Sequence, residues 1–274
     1  MDILSDKIIL FDIDGTIRGH RSTRDVIDGR LLPLLGKLKK KDYTLAIVTG
    51  RPYLFYKEYV DELLEGTQLC EETLPFTFVI YENGHRAYIN GVHTNLLSDR
   101  SKQELECFRQ VIAKIFQAFG CMWVNKYNIP LLVTYPKEAQ RGEGYISLVD
   151  VAKASLKQEE QIYGDLKGHL EELLIELGLD NLTLHSTSPS HMTIEAKDST
   201  KLSAVNKIVR GYSDIIFCCD SQNDLELARD VISKGGKVVC PANAIDSIKE
   251  IAFFVAKAQH GAGICEYLER LAQN

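Results

Sequence analysis

Three apolar runs near the start of the chain, KIILF at 7–11, YTLAIV at 43–48 and FTFVIY at 76–81, each break off into polar turn residues. None alternates apolar with polar residues as a strand with one wet face does. Runs of this kind fit strands buried on both faces. Between the first two, Val26, Ile27, Leu31, Leu34, Leu35 and Leu38 recur near helical spacing and predict a helix from about Arg24 to Lys40. Between the second and third, Pro52 suits the first turn of a helix carrying Tyr59, Leu63 and Leu64. Doubly buried strands alternating with helices leave few architectures open. The expectation is an α/β fold, a parallel sheet with helices on both faces.

The rhythm then changes. A hairpin is expected over 86–95 around Asn90-Gly91, followed by an amphipathic helix from about Lys102 to Phe119. Strands near 121–125, 130–135 and 145–151, a helix over 160–178, and strands at 182–187 and 191–196 complete an α+β stretch. From Lys201 the first pattern returns, with a helix over 201–210 and strands at 214–219, 236–240 and 253–256. The expected organisation is a discontinuous core, 1–84 with 196–274, and an inserted unit over 85–195. A chain of 274 residues is long enough for both.

The formal net charge of -6 argues against non-specific binding to nucleic acid or membrane, which leans on basic patches. The lysines at 37, 39, 40 and 41 read as a solvated helix end. Seven cysteines, none in a C-x-x-C pair, match no zinc pattern and fit reduced thiols. Asp2 and Asp6 ahead of a short apolar run do not make a signal peptide, and no stretch approaches a membrane span. The expected location is the cytoplasm.

Four features fall at predicted strand ends or at a helix start, the places where open α/β sheets bind ligands. In DIDGT, Asp12 can attack phosphorus and Asp14 can protonate a leaving oxygen and then activate water. Thr49 and the N–H of Gly50, ahead of a helix, can hold a phosphate oxygen. Lys201, with Lys197 as its nearby competitor, can neutralise charge on a reacting phosphate. In DSQND, Asp220 and Asp224 can hold Mg²⁺, and Asn223 can reach a phosphate oxygen or a metal-bound water. Taken singly, each has a plainer reading as a turn, a helix cap or a solvated side chain. Their order along one chain is what gives them weight.

Together these residues resemble the haloacid-dehalogenase-like (HAD) phosphohydrolase superfamily, with FDIDGT as its nucleophile motif, IVTGR as its phosphate-binding motif, Lys201 as its lysine motif and DSQND as its acidic motif. The resemblance implies a Rossmann-like core, with Asp12 as nucleophile and Asp14 as general acid and base. It implies Mg²⁺ held by Asp12, the Asp14 carbonyl and Asp220, with Asp224 in support, and a phosphate bound by Thr49, Gly50, Lys201 and Asn223. The inserted unit looks like the α/β cap of Cof-like (class IIB) members, and YENGHRAYINGV resembles their core-to-cap segment. CPANAIDSIKEIAFFVA resembles their late core segment and also that of archaeal phosphoglycolate phosphatases. The length of the insertion favours sugar phosphates as substrates. Phosphoglycolate hydrolysis, a phosphomutase-like transfer and a catalytically silent metabolite-binding protein are the alternatives. Within the insertion, Trp123, Tyr135, Arg141 and His191 are candidates to face substrate, with core packing or plain exposure as the simpler reading of each. One departure stands out: Cys219 occupies the place where the family usually has glycine, and its side chain is expected to crowd the metal site.

Overall fold

The computed structural model describes residues 6–19, 27–65, 75–119, 123–124, 130–131, 133–134, 146–150, 167–168, 170–188 and 191–273. The chain divides into two compact units, Met1–Thr94 with Lys201–Asn274, and Asn95–Thr200.

The first unit is built on an eight-stranded sheet. In chain order its strands are β1 (Lys7–Phe11), β2 (Tyr43–Val48), β3 (Phe76–Tyr81), β4 (Arg86–Ile89), β5 (Val92–Asn95), β12 (Asp214–Cys218), β13 (Lys237–Cys240) and β14 (Phe254–Val255). Their spatial order is β14-β13-β12-β1-β2-β3-β4-β5. From β14 to β3 neighbouring strands run parallel, and β4 turns back antiparallel to β3.

The unbroken apolar runs are explained by two helical layers. Alternate side chains of β1, Ile9 and Phe11, join Leu45, Ile47, Val79 and Ile216 in one core. That core is closed by residues of α1 (Leu31–Lys40), α2 (Tyr53–Leu64) and α8 (His260–Gln273). The intervening Ile8 and Leu10 are equally buried. α5 (Lys201–Ile208) packs on β3, and α6 (Leu225–Ser233) packs on β12 and β13. α1 begins later than its apolar spacing predicts. Residues 27–30 form a turn in which the Asp28 carboxylate accepts from the Arg30 backbone N–H at 2.9 Å, and the helix starts at Leu31.

In the second unit, β8 (Val133–Thr134), β9 (Ile146–Asp150), β10 (Leu182–Ser188) and β11 (His191–Ala196) form a sheet in the order β10-β11-β9-β8. α3 (Asp99–Phe119) packs on β10 and β11, and a helix over 170–176 (α4) contributes Leu170 and Leu174 to the same apolar cluster. β6 (Trp123–Val124) and β7 (Pro130–Leu131) pair separately. Among the described residues no helix is long and apolar enough to cross a membrane.

Candidate active site

Sheet register brings the first two carboxylates together. β1 lies beside β12 with Phe11 level with Cys218, so the chain leaves both strands at the same edge of the sheet. The Asp12 N–H donates to the Cys218 carbonyl at 3.0 Å, and Asp220 follows two residues after that strand. Thr49 emerges at the same edge, next along from the end of β2. Asp224 lies on the short 3-10 turn Gln222–Asp224 that leads into α6. There the Ser221 hydroxyl donates to Asp224 Oδ2 at 2.7 Å and holds the carboxylate in place.

Asp12, Asp220 and Asp224 are all buried, and one carboxylate oxygen of each lies within 4.8 Å of the others. Lys201, the first residue of α5, is buried with them. Its ammonium donates to Asp12 Oδ1 at 2.8 Å and to Asp224 Oδ1 at 2.7 Å. Lys197, the competing lysine, is exposed and donates to the Asp180 carbonyl. Three buried carboxylates thus cluster with one buried ammonium, which bonds two of them. Burial pushes the Asp12 carboxyl well above the usual carboxylate range; the Lys201 charge opposes this, and the Asp224 and Asp220 charges reinforce it. For Lys201, burial works against the charge, but Asp12 and Asp224 outweigh it and hold the ammonium well above the usual lysine value. The donor set is all oxygen and carries an excess of negative charge, which suits a small hard divalent cation such as Mg²⁺.

Two local features make this packing possible. Gly15 has φ +82°, and a Cβ there would stand 2.1 Å from Asp220 Oδ2. The Thr16 hydroxyl, directed into the cluster, donates to Asp220 Oδ1 at 3.0 Å. The DGT turn is buttressed from behind by Asn243, whose amide donates to the Gly15 carbonyl at 2.7 Å and accepts from the His260 N–H at 2.8 Å.

Not every residue singled out in the sequence joins the cluster. The Asp14 side chain lies apart from it and pairs with the Arg51 guanidinium, Nε to Oδ2 at 2.8 Å. Asp14, Arg51, Ile13, Arg18 and Phe55 line a small cleft. Thr49 is buried, and its hydroxyl oxygen accepts from the Arg51 N–H at 3.1 Å, two residues on, which orders the turn around Gly50. Asn223 is exposed on the turn that carries Asp224. Cys219 is fully buried; its thiol is pushed well above the usual value by burial, then by the Asp224 and Asp12 charges, so it adds no further anion. Trp123 lies on β6 and His191 on β11, while Tyr135 and Arg141 fall outside the described residues. Sequence reasoning missed Arg51, Thr16 and Asn243 as partners. Thr16 and Arg51 lie within DIDGT and IVTGR, and Asn243 within CPANAIDSIKEIAFFVA, but no signal in those segments gave the three residues a role of their own.

A family profile described as haloacid dehalogenase-like hydrolase matches residues 9–268, nearly the whole chain. The chain belongs to that family. A phosphoglycolate phosphatase of Sulfolobus acidocaldarius is 22% identical over 270 residues, covering 97% of this chain and 96% of that protein. Among solved structures, a haloacid dehalogenase-like hydrolase from Bacteroides thetaiotaomicron superposes with a TM-score of 0.67 at 15% identity, covering 97% of this chain and 99% of that one. The sucrose-phosphatase from Synechocystis, solved with sucrose and phosphate, superposes with a TM-score of 0.61 at 17% identity, covering 97% and 98%. These likenesses establish the fold of the HAD-like hydrolase.

Proposed function

We propose that this HAD phosphatase hydrolyses a small phosphorylated metabolite, a sugar phosphate by preference, with Mg²⁺ as cofactor and Asp12 as nucleophile. The observation that carries the reading is the buried cluster of Asp12, Asp220 and Asp224 around Lys201, with carboxylates in excess over the ammonium. Bound Mg²⁺ would be held by Asp12, Asp220 and the Asp14 carbonyl, with Asp224 in support, and would neutralise charge on the transferring phosphoryl group.

The remaining chemistry belongs to side chains. Asp12 attacks phosphorus and forms an aspartyl phosphate as the bond to the leaving oxygen breaks, while Asp14 gives that oxygen its proton. Asp14 then takes a proton from water as the water attacks phosphorus, which releases phosphate and restores Asp12. Lys201, the Thr49 hydroxyl and the Gly50 N–H grip the phosphoryl oxygens, and Asn223 reaches toward them from the Asp224 turn. Arg51, paired with Asp14, and Arg18, paired with Glu62, line the cleft beside Asp14. The second compact unit, Asn95–Thr200, acts as a cap that selects the leaving group. Phosphoglycolate is the second reading, supported by the Sulfolobus relative.

The test is phosphate release from a panel of sugar phosphates and phosphoglycolate, with Mg²⁺ or with chelator, beside Asp12→Asn. Release that needs both metal and Asp12 is expected, with sugar phosphates preferred. Release that persists in Asp12→Asn would sink the covalent route. Release confined to phosphoglycolate would replace the sugar-phosphate reading.

A further inference from the structure

The segment between β3 and β4 carries a backbone conformation that its residue types disfavour. Glu82 and Asn83 both have φ +53°, and Gly84 follows at +97°. Asparagine tolerates the left-handed region, but a buried glutamate does not adopt it without support from its surroundings. The support here is the turn that holds Thr49. The Glu82 N–H donates to the Arg51 carbonyl at 3.0 Å, and the Asn83 N–H donates to the Thr49 carbonyl at 3.2 Å. The turn is therefore fastened on both sides of Gly50. A Cβ on Gly50 would lie 2.6 Å from Asn83 Oδ1, and Asn83 supplies all three of its nearest atoms. Gly50 is thus glycine where the Asn83 side chain lies over it. The same 82–84 turn packs against α5, whose first residue is Lys201.

We propose that Asn83 is a positioning residue for the phosphate grip. This rests on the phosphatase reading above. The Asn83 amide laid over Gly50, together with the two backbone bonds, sets the Thr49–Gly50–Arg51 turn against α5. The Thr49 hydroxyl, the Gly50 N–H and the Lys201 ammonium then address one phosphoryl group. A left-handed turn alone needs only glycine at this position; the amide over Gly50 is what glycine would lack.

Gly50→Ala, Asn83→Gly and the double variant separate these roles in the full chain with Mg²⁺, using kcat and KM for p-nitrophenyl phosphate and the melting temperature. Asn83→Gly keeps the backbone conformation, so its melting temperature stays near that of the wild type. Its kcat/KM falls about 10- to 100-fold, chiefly through KM, because a loosened turn misplaces the grip. Gly50→Ala alone lowers both activity and melting temperature, and adding Asn83→Gly restores part of each. The proposal is overturned if Asn83→Gly keeps kcat/KM within about twofold of wild type, well short of what misplacement costs. It is equally overturned if Gly50→Ala costs the same with and without the Asn83 side chain. A folded wild type that releases no phosphate from any compound would remove the phosphatase reading instead. The coupling between positions 50 and 83 in melting temperature would then still decide whether Asn83 sets the turn.

Discussion

At Gly15 two independent constraints exclude a side chain. Its φ of +82° is left-handed, and a Cβ would lie 2.1 Å from the Asp220 carboxylate. Gly15→Ala is therefore expected to lower the melting temperature by about 2–8 °C, from roughly 1–2 kcal/mol of backbone penalty, and to displace Asp220. Mg²⁺-dependent turnover should fall further than stability does. Gly29→Ala, where a Cβ meets nothing within 4 Å, is the control, and equal effects at both sites would contradict the account. The convergence of Asp12 with Asp220 was legible in the sequence because both follow apolar strands whose ends share a sheet edge. The choice of Lys201 over Lys197 came from the family resemblance and not from the residues alone, since it depends on where α5 begins and on a contact with Asp12 across 189 positions. The Asp14–Arg51 pair was hidden for the same reason: only the alignment of β1 beside β2 brings the two turns together.

Elements were legible in proportion to their burial. β1, β2, β3 and β12 read directly from unbroken apolar runs, because a strand covered on both faces has no polar position to confuse the pattern. The hairpin of β4 and β5 announced its turn at Asn90-Gly91, but its place at the edge of the large sheet could not be read. Every residue of β5 is exposed, and an edge strand without a buried face leaves no periodic signal. The start of α1 was misplaced because Ile27 is buried, as a helical residue would be, while lying in the Asp28 turn. α1 itself offers a test of the two-layer core. Leu35 is fully buried beneath it, whereas Lys39 on the same helix is exposed. Leu35→Ala should cost about 2–5 kcal/mol in denaturant unfolding and Lys39→Ala less than about 0.5. Comparable costs would mean that α1 is not the lid of that core.

For the whole molecule, the cysteines link the sheet unit to pH. Cys218, Cys219, Cys240 and Cys265 are all buried, and they come from the ends of β12 and β13 and from α8. Burial pushes each thiol up from its ordinary value of 9.0, Cys240 to about 11 and Cys265 to about 12. An unfolded chain gives up these protons near the ordinary value while the folded one keeps them. Between the two the unfolded state binds fewer protons, so stability falls as pH rises. The contribution is fully present below the ordinary value and is lost progressively through the raised ones. Melting temperature measured in steps from about pH 8 to about pH 11 should therefore decline above pH 9. Cys265→Ala should flatten part of that slope, because it removes one of the titrating groups. Cys107 is exposed and gives an internal reference. It should react with a thiol reagent in the folded protein at pH 8, while the four buried thiols react only as the sheet unit opens. A melting temperature independent of pH over this range, or prompt labelling of Cys265 in the folded state, would show that these thiols are not sealed in the core as their burial requires.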